Sequence, residues 1–401
     1  MKRIAAILTV LLVSAVAPVS AAAGSADQQA YAQTHVSFDT QSNAVVDYTV
    51  GGTETIDAVR VQSQSSAESS LGASGSADLE AVTALVGAAL SVDTTADAHA
   101  SMTTDSGATI EAHDNGHGSL VVTADEQPQY VALNLSGDAS AEQASQERVV
   151  FTAEDGTTST AMVVGEGNVT VTESGNLTAS VEEDSRLVVR SYAGSRTEAD
   201  ETEEELIVNG TAAASVYVME QGGEAVTDVV TYSGDTTVEV SERAEGQVTM
   251  TAERSASDGR VVLTHVSEST FESAEDVQVA VDGEAAVQAS SYAEIRQATN
   301  GGDTSKYMVQ SANSASASAQ SEVVVGINHF STREVTMSDS SGSSDDGNSA
   351  DGDDSDGDSS DGGASEGGSN DTTAGNGPGF GVFAAVLALL GAALLVGRRR
   401  D

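Results

Sequence analysis

Val277-Gln278-Val279-Ala280-Val281-Asp282-Gly283 places valine at every second position and then closes on Asp-Gly. Side chains along a strand alternate between its two faces, so this spacing buries one face and wets the other. Asp-Gly accepts the positive φ of a tight hairpin, so the chain should reverse there. The same period of two recurs in Val169-Thr170-Val171-Thr172, Val238-Glu239-Val240 and Val248-Thr249-Met250-Thr251. Turn residues punctuate the chain at Asn115-Gly116, Asp155-Gly156, Ser174-Gly175-Asn176, Ser233-Gly234-Asp235 and Asp258-Gly259. Residues 24–337 therefore read as an all-β region with room for two subdomains. An antiparallel meander is expected, forming an elongated sandwich-like or solenoid-like body.

Small side chains keep both packings open. Ala96, Ala98, Ala100 and Met102 share one strand face, as do Ala315, Ala317 and Ala319, so sheets could approach closely or line a narrow lumen. Residues 174–181 echo residues 233–240, and Gly156-Thr157 recurs as Gly210-Thr211, a weak echo that either a duplication or chance in a Ser/Thr/Val/Gly-rich chain would produce. The helical period appears once, where Leu79, Val82, Val86 and Leu90 predict a helix over residues 78–90 with Gly87 as its weak point.

Acidic residues number 62 against 16 basic ones, giving a net charge of −46 in 401 residues. Such a shell repels itself in dilute buffer. At about 1 M salt the Debye length falls to roughly 3 Å, and most of that repulsion is screened. A hypersaline, extracellular setting suits both facts, and Lys306 is the one lysine between the two chain ends. Nucleic acid is excluded as a partner because no basic patch exists to displace counterions from phosphates. Diffuse cations are the favoured company. With no cysteine, neither disulfides nor thiolate metal sites are available.

Residues 338–377 change character. Serine, glycine and aspartate dominate and no basic residue occurs, so the segment cannot bury enough surface to offset chain entropy. It reads as a disordered stalk. At the other end, Met1-Lys2-Arg3, an apolar run over residues 4–16 and Ala21-Ala22-Ala23 form a secretory signal peptide over residues 1–23, to be removed by signal peptidase.

Residues 378–401 open with Pro378-Gly379-Phe380, continue through an uncharged apolar run over residues 381–397 and end in Arg398-Arg399-Arg400-Asp401. At about 1.5 Å per residue the run makes roughly 25 Å of transmembrane helix, just enough for a hydrocarbon core of about 30 Å. The arginines mark the cytoplasmic end, which places the body outside. Tripeptide, apolar helix and basic tail behind an acidic linker resemble the PGF-CTERM sorting signal of haloarchaeal surface proteins. The resemblance covers only residues 378–401. It implies an archaeosortase that recognises Pro378, Gly379 and Phe380, removes the tail and leaves the mature chain on the membrane at the cell surface.

Motifs for chemistry are sparse. His113 and His117 flank Asn115-Gly116 and are weak metal candidates, helped by Asp114 or Glu111, against the simpler reading of a turn with exposed polar side chains. A two-residue loop would set Asp114 opposite His117 and His113 opposite Gly118, sending the two imidazoles to opposite faces. His35, His99, His265 and His329 are isolated surface or strand residues. The aspartates of residues 351–358 supply no EF-hand register. No nucleophile elbow, P-loop, dinucleotide fingerprint or zincin motif occurs, and tryptophan is absent. Asn134, Asn168, Asn176, Asn209 and Asn370 head Asn-x-Ser/Thr sequons and are glycosylation candidates.

These observations lead to a non-catalytic surface protein, structural or adhesive and associated with an S-layer or other envelope proteins, with no cofactor and no catalytic residues assigned. A surface-tethered hydrolase and a cation- or solute-binding envelope protein are the alternatives.

Overall fold

A computed structural model describes residues 36–71, 85–95, 98–192, 194–221, 224–244, 246–267, 270–271, 276–311 and 320–339. All belong to the first of two units, Met1–Ser344 and Asp345–Asp401. The signal peptide, most of the stalk and the sorting signal with its apolar run lie outside the described residues. Among the described residues no helix is long and apolar enough to cross a membrane.

The first half comprises β1 (Val36–Gln41), β2 (Ala44–Val50), β3 (Thr53–Ser63), α1 (Gln64–Leu71), β4 (Leu90–Thr95), β5 (His99–Thr104), β6 (Ala108–His113), β7 (Ser119–Ala124), β8 (Gln129–Leu135), β9 (Ser140–Gln143), β10 (Arg148–Thr152), β11 (Thr158–Val164), β12 (Gly167–Val171), β13 (Leu177–Val181) and β14 (Arg186–Tyr192). After α2 (Glu198–Val208) come β15 (Ala212–Gln221), β16 (Glu224–Thr231), β17 (Thr236–Ala244), β18 (Gln247–Arg254), β19 (Asp258–Ser267), β20 (Val277–Val281), β21 (Glu284–Ala285), β22 (Val287–Gln288), α3 (Tyr292–Thr299), β23 (Lys306–Ser311), β24 (Gln320–His329) and β25 (Thr332–Asp339).

These strands form four sheets: I, β1-β2-β3-β8-β13-β12; II, β4-β5-β6-β7-β14-β11-β10-β9; III, β16-β15-β19-β24-β23-β22; and IV, β17-β18-β25-β20-β21. Pairing is antiparallel except for β15 with β19 and β22 with β23. The all-β, antiparallel expectation holds, but the chain is not a simple meander. It crosses repeatedly between facing sheets, as where β8 returns to sheet I after four strands in sheet II.

Apolar clusters fix the layer order. Tyr48, Ile56 and Leu133 of sheet I meet Met102, Leu120 and Phe151 of sheet II. Val216, Val262 and Val323 of sheet III meet Met250, Val335 and Met337 of sheet IV. A third cluster joins the outer faces of II and III, with Val121, Met162 and Val188 against Tyr217, Leu263 and Val324. The described residues are thus two sandwiches packed face to face, not a solenoid. The strands in the middle, such as β7 and β14, are buried on both sides and read as apolar runs in place of alternation.

Period-two segments behave as expected where one face is wet, since Val277, Val279 and Val281 are buried and Gln278 is exposed. Ala98, Ala100 and Met102 are all buried, but not on the one face expected, since Ala98 packs between sheets II and III and Met102 between sheets I and II; Ala96, Ala315, Ala317 and Ala319 lie outside the described side chains. Asp282-Gly283 makes the expected two-residue loop, at φ 53° and 78°, between the paired Val281 and Glu284. Asp155-Gly156 and Ser174-Gly175-Asn176 turn as well, but inside five-residue loops closed by Thr152–Thr158 and Val171–Leu177.

Other punctuation reads differently. Asp258-Gly259 begins β19, and Ser233-Gly234-Asp235 carries the chain from sheet III to sheet IV. Gly234 therefore does not repeat the hairpin role of Gly175, and Gly210 follows a helix where Gly156 closes a hairpin, so the echo marks no equivalent structure. The helix expected over residues 78–90 does not extend through residues 85–90. Gly87 takes φ 79° and Leu90, the first residue of β4, pairs with Thr104 of β5, while residues 78–84 lie outside the described set. Ser338 and Asp339, expected in the stalk, extend β25 instead and pair with Gln278 and Val277.

Candidate functional site

The chemistry-bearing side chains converge where sheet II faces sheet III. α2 connects the two sandwiches there. Thr197 caps it, accepting from the Asp200 amide while Asp200 accepts from the Thr197 amide, which satisfies donors that a helix start leaves open. Leu206 and Ile207 bury toward the interlayer cluster, and Glu203 and Glu204, also buried, point into polar company.

Arg190 on β14 is 0% exposed. Its Nη2 donates to Glu203 Oε2 at 2.9 Å and lies 3.0 Å from each ring nitrogen of His117. The Tyr217 hydroxyl sits 2.9 Å from His117 Nδ1. His265 stacks on Tyr217 at 4.7 Å between centroids and meets the edge of His117 at 5.0 Å. Burial first, and the Arg190 charge second, push both histidines well below the usual imidazole range, so they are neutral. Glu322 lies opposite His265 in the β19–β24 register. Burial and the neighbouring Glu203 carboxylate push it far above the carboxylic range, and in its protonated form it hydrogen-bonds Glu203.

Two further groups complete the layer. Asp228 on β16 accepts from Asn115 Nδ2 at 2.8 Å and pairs with His113 Nδ1 at 2.9 Å, and that carboxylate outweighs burial to raise the His113 pKa. Glu204 gathers Arg196, Arg148, Tyr192 and Thr160. Arg190 Nε and Nη1, His265 Nε2, His113 Nε2 and Glu322 Oε1 are buried without a hydrogen-bond partner among the described residues.

The 113–117 segment thus differs from its expected form. His113 pairs with Ser119, not Gly118, so the loop is five residues long, and the side chains of His113, Asn115 and His117 are buried, with Asn115 at 0% exposure. Tyr217 and Asp228, which are cross-strand partners, hold this loop from the opposite sheet. His265 is a strand residue, on β19, but it is buried in the cluster and not isolated, and His99 is a strand residue stacked on His113. His35 and the aspartates of residues 351–358 lie outside the described residues.

Sequence reading missed Arg190, Glu203, Glu204, Tyr217, Asp228 and Glu322. The available signal was a single polar residue set in an apolar strand, as in Leu187-Val188-Val189-Arg190 and Glu322-Val323-Val324-Val325. On the surface, Asp47, Glu54 and Asp57 bring carboxylate oxygens within 4.8 Å of one another on the β2–β3 hairpin. No protein-family model matches this chain, and no curated protein is similar to it.

Proposed function

We propose that this chain is a non-catalytic, surface-displayed protein of a hypersaline cell envelope, exported through its signal peptide, processed by an archaeosortase and tethered to the membrane. Its role is structural or adhesive, in association with an S-layer or other envelope proteins. The observation that carries the reading is the use made of the reactive side chains. Arg190, Glu203, His117, His265 and Tyr217 are buried and engaged with one another, joining two sandwiches in place of facing solvent. Such a joint favours a stiff spacer over a cleft. The Asp47, Glu54 and Asp57 group favours cation binding as a second reading, in keeping with the acidic composition.

Intact mass of the native protein tests the display pathway. The expected mature chain starts at Gly24 and lacks Arg398, Arg399 and Arg400. A chain that retains them, or retains residues 1–23, overturns the reading.

A further inference from the structure

The sequons within the described residues are not equivalent, and the structure separates them. Asn168 lies on β12, the edge strand of sheet I, with its side chain exposed, and Thr170 two residues on is half-buried. Asn209 is the C-cap of α2, also exposed, followed by Gly210 at φ 64° and a half-buried Thr211. Neither amide side chain has a hydrogen-bond partner among the described residues.

The other two sequons are engaged. Asn134 lies on β8, held between β3 and β13, half-buried, and its sequon hydroxyl, Ser136 Oγ, donates to Glu54 at 2.8 Å. Asn176 accepts from the Leu135 amide at 3.0 Å, and Thr178 of the same sequon is 1% exposed. A transferase must reach the asparagine amide and the hydroxyl two residues later together. In the folded chain only the first pair of sequons offers both.

We infer that Asn168 and Asn209 are N-glycosylation sites and that Asn134 and Asn176 are not, an inference that rests on the display reading above. The donor class is a lipid-phosphate-linked oligosaccharide. A bond forms between Asn Nδ2 and the anomeric carbon while the anomeric carbon–phosphate oxygen bond breaks. The lipid phosphate departs, and the amide proton passes to the transferase.

Glycopeptide mapping of the native mature protein, with Asn168→Gln and Asn209→Gln expressed in the same host, tests this. The expected result is glycan on both sites, none on Asn134 or Asn176, and loss of one glycan mass with each substitution. An exported, tail-processed chain with bare Asn168 and Asn209, or with glycan on Asn134 or Asn176, overturns the inference and leaves the display reading standing. A bare chain that keeps its signal peptide overturns both.

Discussion

At the residue scale, the Arg190–Glu203 pair is the most sensitive point. Both side chains are at or below 2% exposure, and removing one partner leaves the other as an uncompensated buried charge. Arg190→Met should cost about 3–5 kcal/mol, and a second change, Glu203→Met, should recover much of it because an apolar pair leaves no charge to desolvate. Urea midpoints at constant high salt check both. The neutral histidines add a pH dependence. Unfolded, His117 and His265 take up protons near their ordinary 6.5; folded, they do not, so their contribution is complete above that pH and is lost as pH falls through it. Glu322 acts oppositely, since the fold keeps it protonated while the unfolded chain releases its proton above 4.5. Between pH 6.5 and 4.5 the two histidines act against the single carboxyl group, so these sites make stability fall as pH falls. His113, with its raised pKa, is protonated in both states there and adds nothing. Glu322→Gln removes the opposing contribution and should steepen that slope. An unchanged slope in denaturation curves across this range would refute the assignment.

At the element scale, local chemistry was readable and distant constraints were not. Asp282-Gly283 makes its hairpin because the two residues themselves accept positive φ. Asp258-Gly259 looks identical in sequence, but a Cβ on Gly259 would come within 2.5–2.7 Å of the carbonyl oxygens of Thr299, Ile327 and Asn328. That glycine answers to residues far along the chain, and no window around it reveals them. α2 shows both sides. The Thr197–Asp200 capping box is a local signal that the sequence reading did not take up, and Glu203 and Glu204 occupy buried positions where an apolar stripe would have declared a helix. Their partners Arg190, Arg148 and Tyr192 belong to another sheet. The same reason hid the interlayer site as a whole. Thr197→Ala should cost about 1 kcal/mol through the lost cap and leave the fold intact, as read by thermal unfolding.

At the scale of the whole molecule, a net charge of −46 opposes a fold whose cores are ordinary apolar clusters. Screening should therefore govern stability, and thermal midpoints by circular dichroism should climb as salt rises from 0.1 M toward 1 M, where the Debye length drops from about 10 to about 3 Å. Flat midpoints would mean that the carboxylates are already compensated locally. The strand order also sets how the molecule carries mechanical load. β25, the last described strand, is not at an edge; it lies between β18 and β20, bonded on both sides. Ladder hydrogen bonds run across the strands, so tension on the chain beyond Asp339, directed along β25, loads both ladders in shear together instead of unzipping them one rung at a time. A pull on this end should meet an abrupt, high rupture force, with sheet IV giving way as a unit and not peeling from its margin.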